Sequence, residues 1–230
     1  LEDYKPDQNE DDVTNVLLAV AAMKQKSLMP QVMKVFQTME FSRPKAKPLG
    51  QHVIKAMKVL ADKSNEDEYL KMIEPPIDGS SPQAAVNQGF WQQTATYMLG
   101  EVGSEKSAKP LLKLILTPSK SPLHQYALVS LVKLGKPAIA PVEALLKGED
   151  KELMKYSEDQ VIAGAQKDTN GKIPDNVKKA AAKAYLPIAA EVLGNLGSEG
   201  SAKSLLDVVN ANADEKTGDQ TTRVIAALAL

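Results

Sequence analysis

The stretch LGEVGSEKSAKPLLKLI at residues 99–115 returns as LGNLGSEGSAKSLLDVV at residues 193–209. Across this offset of 94 residues, Leu99, Gly100, Gly103, Ser104, Glu105, Ser107, Ala108, Lys109, Leu111 and Leu112 reappear without a gap as Leu193, Gly194, Gly197, Ser198, Glu199, Ser201, Ala202, Lys203, Leu205 and Leu206. A looser copy, LVKLGKPAIAPVEALLKG at residues 131–148, puts Gly135 32 residues after Gly103 and Pro141 31 residues after Pro110. The period is therefore about 31 residues, and 94 is close to three of them. Self-similarity at such a period marks an array of supersecondary units, each unable to bury its apolar face alone.

One unit reads as a helix ending at a Leu-Gly or Val-Gly turn, a short Ser-Glu or Lys-Pro connection, and a second helix carrying a Leu-Leu pair. Glycine is expected to stop the first helix in the left-handed conformation. Ser104 and Ser198 are expected to cap the second by accepting a backbone N–H. Pro30, Pro110 and Pro141 are placed early in second helices, where a missing N–H is tolerated. Fainter pairs precede these, VTNVLLAVAAMKQKSLMPQVMKVFQTM from Val13 and GQHVIKAMKVLADKSNEDEYLKMI from Gly50, each with apolar residues at helical spacing around a polar turn. The terminal RVIAALAL reads as the first helix of another unit, so further repeats are expected after residue 230. Because the sequence starts at Leu1 rather than Met, it is expected to be a fragment or a processed product.

The Ala-rich first helix, the Leu-Gly turn and the Ala-x-x-Leu-Leu second helix resemble HEAT repeats, especially the short bacterial type also seen in phycobilisome lyases. The resemblance is clear over residues 94–148 and 177–230, and residues 1–75 match by pattern alone. It implies an all-α fold, a right-handed α-α superhelix of about six helical hairpins with irregular insertions. The expected organisation is one continuous solenoid: divergent repeats at 1–75, HEAT-like repeats at 76–148, a helix plus turn-rich insertion at 149–176, and HEAT-like repeats at 177–230.

Composition agrees with a helical array. Apolar residues make up 43% of the 230 and charged residues 25%, ordinary for a globular chain, but aromatics only 4%, so burial must come from aliphatic side chains, Met and Ala. Twenty-eight Lys and Arg against 29 Asp and Glu give a net charge of −1. Phosphate-backbone binders carry a basic excess, so no nucleic-acid partner is expected. With no cysteine there are no disulfides, thiolate metal sites or cysteine nucleophiles. A cysteine-free chain suits an exported or envelope-associated bacterial protein slightly better than a cytosolic one. No apolar run approaches the roughly 20 residues of a membrane helix.

Two segments break the repeat. In GEDKELMKYSEDQVIAGAQKDTNGKIPDN, residues 148–176, Asp168, Asn170 and Asp175 around Gly171 resemble a calcium loop. The register puts Gln166 at its first ligand position and Val177 where a bidentate Glu belongs, which favours a solvated turn. In EPPIDGSSPQAAVNQGFWQQ, from Glu74, a loop leads into a long helix from about Pro82 to Leu99 that carries Phe90 and Trp91. These two aromatics are candidate partner anchors if exposed and core filling if not.

No catalytic set stands out. His52 and His124 lie outside any H-E-x-x-H pattern, and the repeated His-Glu pairs of HEAT-type metal hydroxylases are absent. The Leu-Gly glycines recur at the repeat period as helix punctuation rather than forming a phosphate-binding loop, and no Gly-x-Ser-x-Gly elbow occurs. The acidic runs QNEDD and SNEDE suit helix starts. What remains is the wall formed by the second helices, where Lys109, Lys113, Glu143, Lys147, Lys203 and Asp207 recur at comparable places. The expected function is a non-catalytic scaffold, a subunit of a larger bacterial envelope assembly holding a protein or peptide in a concave groove, without cofactor or metal. The alternative implied by the resemblance is a HEAT-like lyase or enzyme subunit that takes a small chromophore or modified peptide.

Overall fold

The computed structural model describes residues 1–102, 104–168, 172–214 and 218–230, excluding the side chains of 167 and 168. The described residues are all-helical, with no strand among them. They form two compact units, Leu1–Gly103 and Ser104–Leu230.

In the first unit, α1 (Glu10–Met23) and α2 (Met29–Thr38) both pack on α3 (Ala46–Leu60), and α4 (Glu66–Ile73) packs on α5 (Pro82–Val102), which also meets α3. The core is rich in Met: Met29, Met33, Met39, Met57 and Met98 are all buried, with Phe36, Tyr69 and Phe90. Unbranched, polarizable Met fills the irregular gaps that a chain poor in aromatics leaves between helices. The segment before α5 is pinned by that helix's own glutamines: Gln88 Nε2 donates to the Pro76 carbonyl at 2.9 Å and Gln92 Nε2 to the Pro75 carbonyl at 2.7 Å.

In the second unit, α6 (Ala108–Ile115) packs on α7 (Ser121–Leu134) and α8 (Lys136–Leu146). From the repeat-breaking segment come α9 (Lys151–Asp168), which meets α6, α8 and α11, and α10 (Asp175–Ala181), which packs on α9. Then α11 (Tyr185–Leu196) lies against α7, α8 and α13, and α12 (Ala202–Ala211) packs on α13 (Gln220–Leu228).

A shared local design links the clear and the faint pairs. A single 3-10 turn leads directly into α2 (Lys26–Leu28), α4 (Lys63–Asn65), α6 (Glu105–Ser107) and α12 (Glu199–Ser201), and one also precedes α7 (Pro118–Lys120), whereas α8 follows Gly135 without one. Burial follows the same frame: Met29, Val32, Met33 and Val35 in α2 match Ala108, Leu111, Leu112 and Leu114 in α6, all inaccessible or nearly so. On the first helices, Ala95, Ala127 and Ala189 stand four residues before Leu99, Leu131 and Leu193, and all six are buried. Residues four apart lie one above the other on a helix face, so each pair makes a stripe narrow enough for a neighbouring helix to come close.

The turns differ from expectation in three ways. Gly100 and Gly194 sit inside α5 and α11 rather than ending them. Gly194 is needed for proximity, because a Cβ there would lie 2.5 Å from the Ala229 Cβ and 2.8 Å from its Cα. The left-handed stop falls at Gly197, with φ 62° and ψ 34°. Second, Ser104 caps the 3-10 turn, accepting from the Lys106 N–H at 3.2 Å, and Ser198 makes no side-chain cap. The 3-10 turn takes the cap because it, not the α-helix, begins the second segment. Third, Pro141 lies in the middle of α8, where it denies the Pro137 carbonyl its i+4 donor.

Gly194→Val is expected to lower the stability of the second unit by about 1–3 kcal/mol through overpacking. Gly164→Ala in α9, where an added methyl meets no atom within 4 Å, is expected to raise it by about 0.5–1 kcal/mol. Urea denaturation of the two variants beside the parent checks both signs.

Candidate functional site

On α6, Lys109 and Lys113 are one turn apart and point to the same neighbour. Lys109 Nζ meets Asp150 Oδ2 at 2.6 Å, and Lys113 Nζ meets Glu152 Oε1 at 2.7 Å. Asp150 is held twice, since its Oδ1 also accepts the Leu153 N–H at 3.0 Å and so caps the start of α9. Lys113 also lies 5.5 Å from the centroid of the Tyr156 ring, and the Tyr156 hydroxyl is 2.7 Å from Thr117 Oγ1. Thr117 closes α6 by donating to the Lys113 carbonyl at 2.6 Å, and its own carbonyl meets His124 Nε2 at 2.9 Å. Leu153 and Ser157 on the same side of α9 are buried. The first two turns of α9 thus cover the lysine-bearing side of α6.

Electrostatics follow this geometry. Burial pushes the Asp150 carboxyl up, but the Lys109 ammonium and the Leu153 and Glu152 amides outweigh it and hold the group below its ordinary value. The bond from Lys113 holds Glu152 low as well. Lys109 is shifted upward, with Asp150 as the leading cause and burial opposing it.

The other candidates are placed differently. Glu143 and Lys147 pair with each other on α8 at 3.5 Å, an i, i+4 contact on an exposed edge. Lys203 and Asp207 on α12 are exposed and have no ion pair among the described residues. Phe90 is not an exposed anchor: it is 8% accessible, stacks on Phe41 at 3.8 Å between centroids and tilts against Phe36 at 5.5 Å. It belongs to the first unit's core, because α3 brings Gly50 to where its missing Cβ would meet both Phe41 and Phe90. Trp91 is half-buried beside it, with its indole nitrogen buried.

No protein-family model, curated protein or solved structure matches this chain. Among the described residues no group of three His, Asp or Glu side chains is placed to hold a metal ion, and no helix is long and apolar enough to cross a membrane. Asn170 and Gly171 of the calcium-like turn, and the side chain of Asp168, lie outside the described residues. Asp175 starts α10 and meets Lys178 at 3.3 Å. An open cleft of about 520 Å³ between α11 and α13 is lined by Glu191, Gly194, Asn195, Ile225, Leu228 and Ala229.

Asp150, Glu152 and Tyr156 are absent from the sequence-based set, although they hold two of its lysines. The available signal was Asp150 placed three residues before Leu153, a capping spacing at the start of an amphipathic run.

Carboxylates held low by native partners stabilise the fold above their unfolded pKa, near 4, and lose that contribution as pH falls through the lower folded value. The acid limb of unfolding for the second unit is expected to flatten in an Asp150→Asn, Glu152→Gln double variant. Asp150→Asn alone is expected to cost about 1 kcal/mol at neutral pH, modest because Lys109 is half exposed. Circular dichroism from pH 6 to 3 checks the first expectation, and urea titration at pH 7 the second.

Proposed function

We propose that this chain is an α-solenoid of HEAT-like helical pairs acting as a non-catalytic protein-interaction scaffold, a subunit of a larger bacterial envelope assembly. The observation that carries this reading is the common frame of the pairs. A 3-10 turn opens α2, α4, α6 and α12, the buried positions of α6 recur in α2, and the alanine-leucine stripe recurs in α5, α7 and α11. Stacking such pairs with a right-handed twist buries a continuous core and lines one side with second helices. Those helices carry charge of both signs, suited to orienting a protein segment more than to concentrating a polyanion.

Within this reading the candidate surface contracts. Lys109 and Lys113 already hold Asp150 and Glu152, and Phe90 is core, which leaves Lys203 and Asp207 on α12, the Glu143–Lys147 edge of α8 and the half-buried Trp91.

Affinity purification of the full-length protein from its source, with lysine crosslinking, tests the proposal. A reproducible partner crosslinked at Lys203 or Lys147 is expected. A monomer without partners that carries a bound small molecule would overturn it in favour of a lyase-type role.

A further inference from the structure

Residues 1–9, ahead of α1, fold back on the first unit and are fastened there by charge. Asn9 stands at the N-cap position of α1 but makes no side-chain cap. Its side chain serves the preceding segment instead: Oδ1 accepts the Lys5 N–H at 2.9 Å, and Nδ2 donates to the Asp3 carbonyl at 3.0 Å. The turn so formed is tied to the helices at two further points. Lys34 Nζ on α2 donates to the Glu2 carbonyl at 3.3 Å. Arg43, in the connection from α2 to α3, pairs with Asp7 and, at 2.5 Å, with Glu40. That connection is held from another side by α5, since the Ser42 N–H donates to Asn87 at 2.8 Å and Phe41 stacks on Phe90.

The closed position carries two costs. Asp7 is in the left-handed region at φ 64°, a conformation that Asp tolerates better than most residues but that still opposes closure. The Tyr4 hydroxyl is buried with no hydrogen-bond partner among the described residues. Burial, followed by the Glu10 and Glu40 carboxylates, pushes its phenol up to about 12 against the pull of Arg43. A hydroxyl taken out of water without a partner is a penalty that opening relieves. On the favourable side, Leu1, Tyr4 and Pro6 are only half-buried. Arg43, Asp7 and Glu40 keep 38%, 49% and 45% of their side chains exposed, and pairs as wet as these are weak and screened by salt. Closed and open positions are therefore near balance, and the ion pair decides between them.

We propose that residues 1–9 are a salt-sensitive strap: the Arg43–Asp7 pair latches them onto the α2–α3 connection, and screening or removing that pair releases them. Once released, the strap leaves Arg43 without Asp7 and the connection held from the α5 side. Latching uses only the first unit's own groups, so it holds whether or not the chain is a scaffold.

Heteronuclear 15N NOEs of the full chain read the latch at the amides of residues 2–5, 7 and 8, with α1 as the rigid reference. Raising NaCl from about 0.05 M to about 0.5 M shortens the Debye length about threefold. The strap NOEs are expected to match those of α1 at the lower salt and to fall to about half of them at the higher, as the segment gains picosecond–nanosecond freedom. Asp7→Asn keeps a residue that tolerates the left-handed region but removes the charge, so its NOEs should be low at both salts. Tyr4→Phe keeps the ring and removes the unpaired hydroxyl, so it should hold the strap closed at the higher salt.

Strap NOEs equal to those of α1 at both salts would overturn the proposal, since the segment would then be a fixed part of the fold. So would values already halved at the lower salt, because nothing would then be latched. If Asp7→Asn keeps the salt response of the parent, the pair is not the fastener and the latch falls. If Tyr4→Phe loosens the strap, the hydroxyl has a partner in the closed position, closure is not near balance, and the strap is rejected.

Discussion

Close approach of helix backbones across small side chains is the constraint on which this structure depends. A chain with three Phe and one Trp has few bulky groups to span the gap between helices. It buries small side chains instead, Ala95, Ala127 and Ala189, each with a buried leucine one turn on. At Gly194 this reaches its limit, since Ala229, at the end of α13, passes where even a methyl group has no room. The stripes have a helical period, so each gathers its small and large side chain on one face of its helix.

The fold was legible to the extent that this constraint writes itself in sequence. The ten coincidences between residues 99–112 and 193–206 mark two second-helix starts with the same 3-10 turn. The earlier pairs were read from apolar spacing alone, and their 3-10 turns were not legible, because KSL and KSN share little with EKS beyond a polar opening. The glycines misled in a physically instructive way. A Leu-Gly pair looks like a helix stop, yet in α11 the first glycine serves packing and only the second, three residues later, takes the left-handed turn.

The site was less legible because it depends on what covers what. Equivalent lysines on α6 and α12 look alike in sequence, but the segment after Gly148 folds back over one and not the other. Nothing at Lys109 or Lys113 announces this, since the covering residues lie about 40 positions away. Phe90 shows the reverse case. Its neighbours Phe36 and Phe41 come from distant parts of the chain, and the meeting of Phe41 with Phe90 at Gly50 is a tertiary fact.

The uneven division of large side chains gives the two units different optical identities. The only tryptophan, Trp91, is in α5, half-buried in the first unit, and all three phenylalanines are there as well. The second unit's fully or nearly buried side chains are mostly Leu, Val and Ala, with Tyr185 as its buried aromatic among the described residues. Indole emission is therefore blind to half of the molecule: it follows the melting of Leu1–Gly103, while helical ellipticity sums over both halves. A disparity between the two signals on heating would measure how tightly the halves are coupled, without any label being attached.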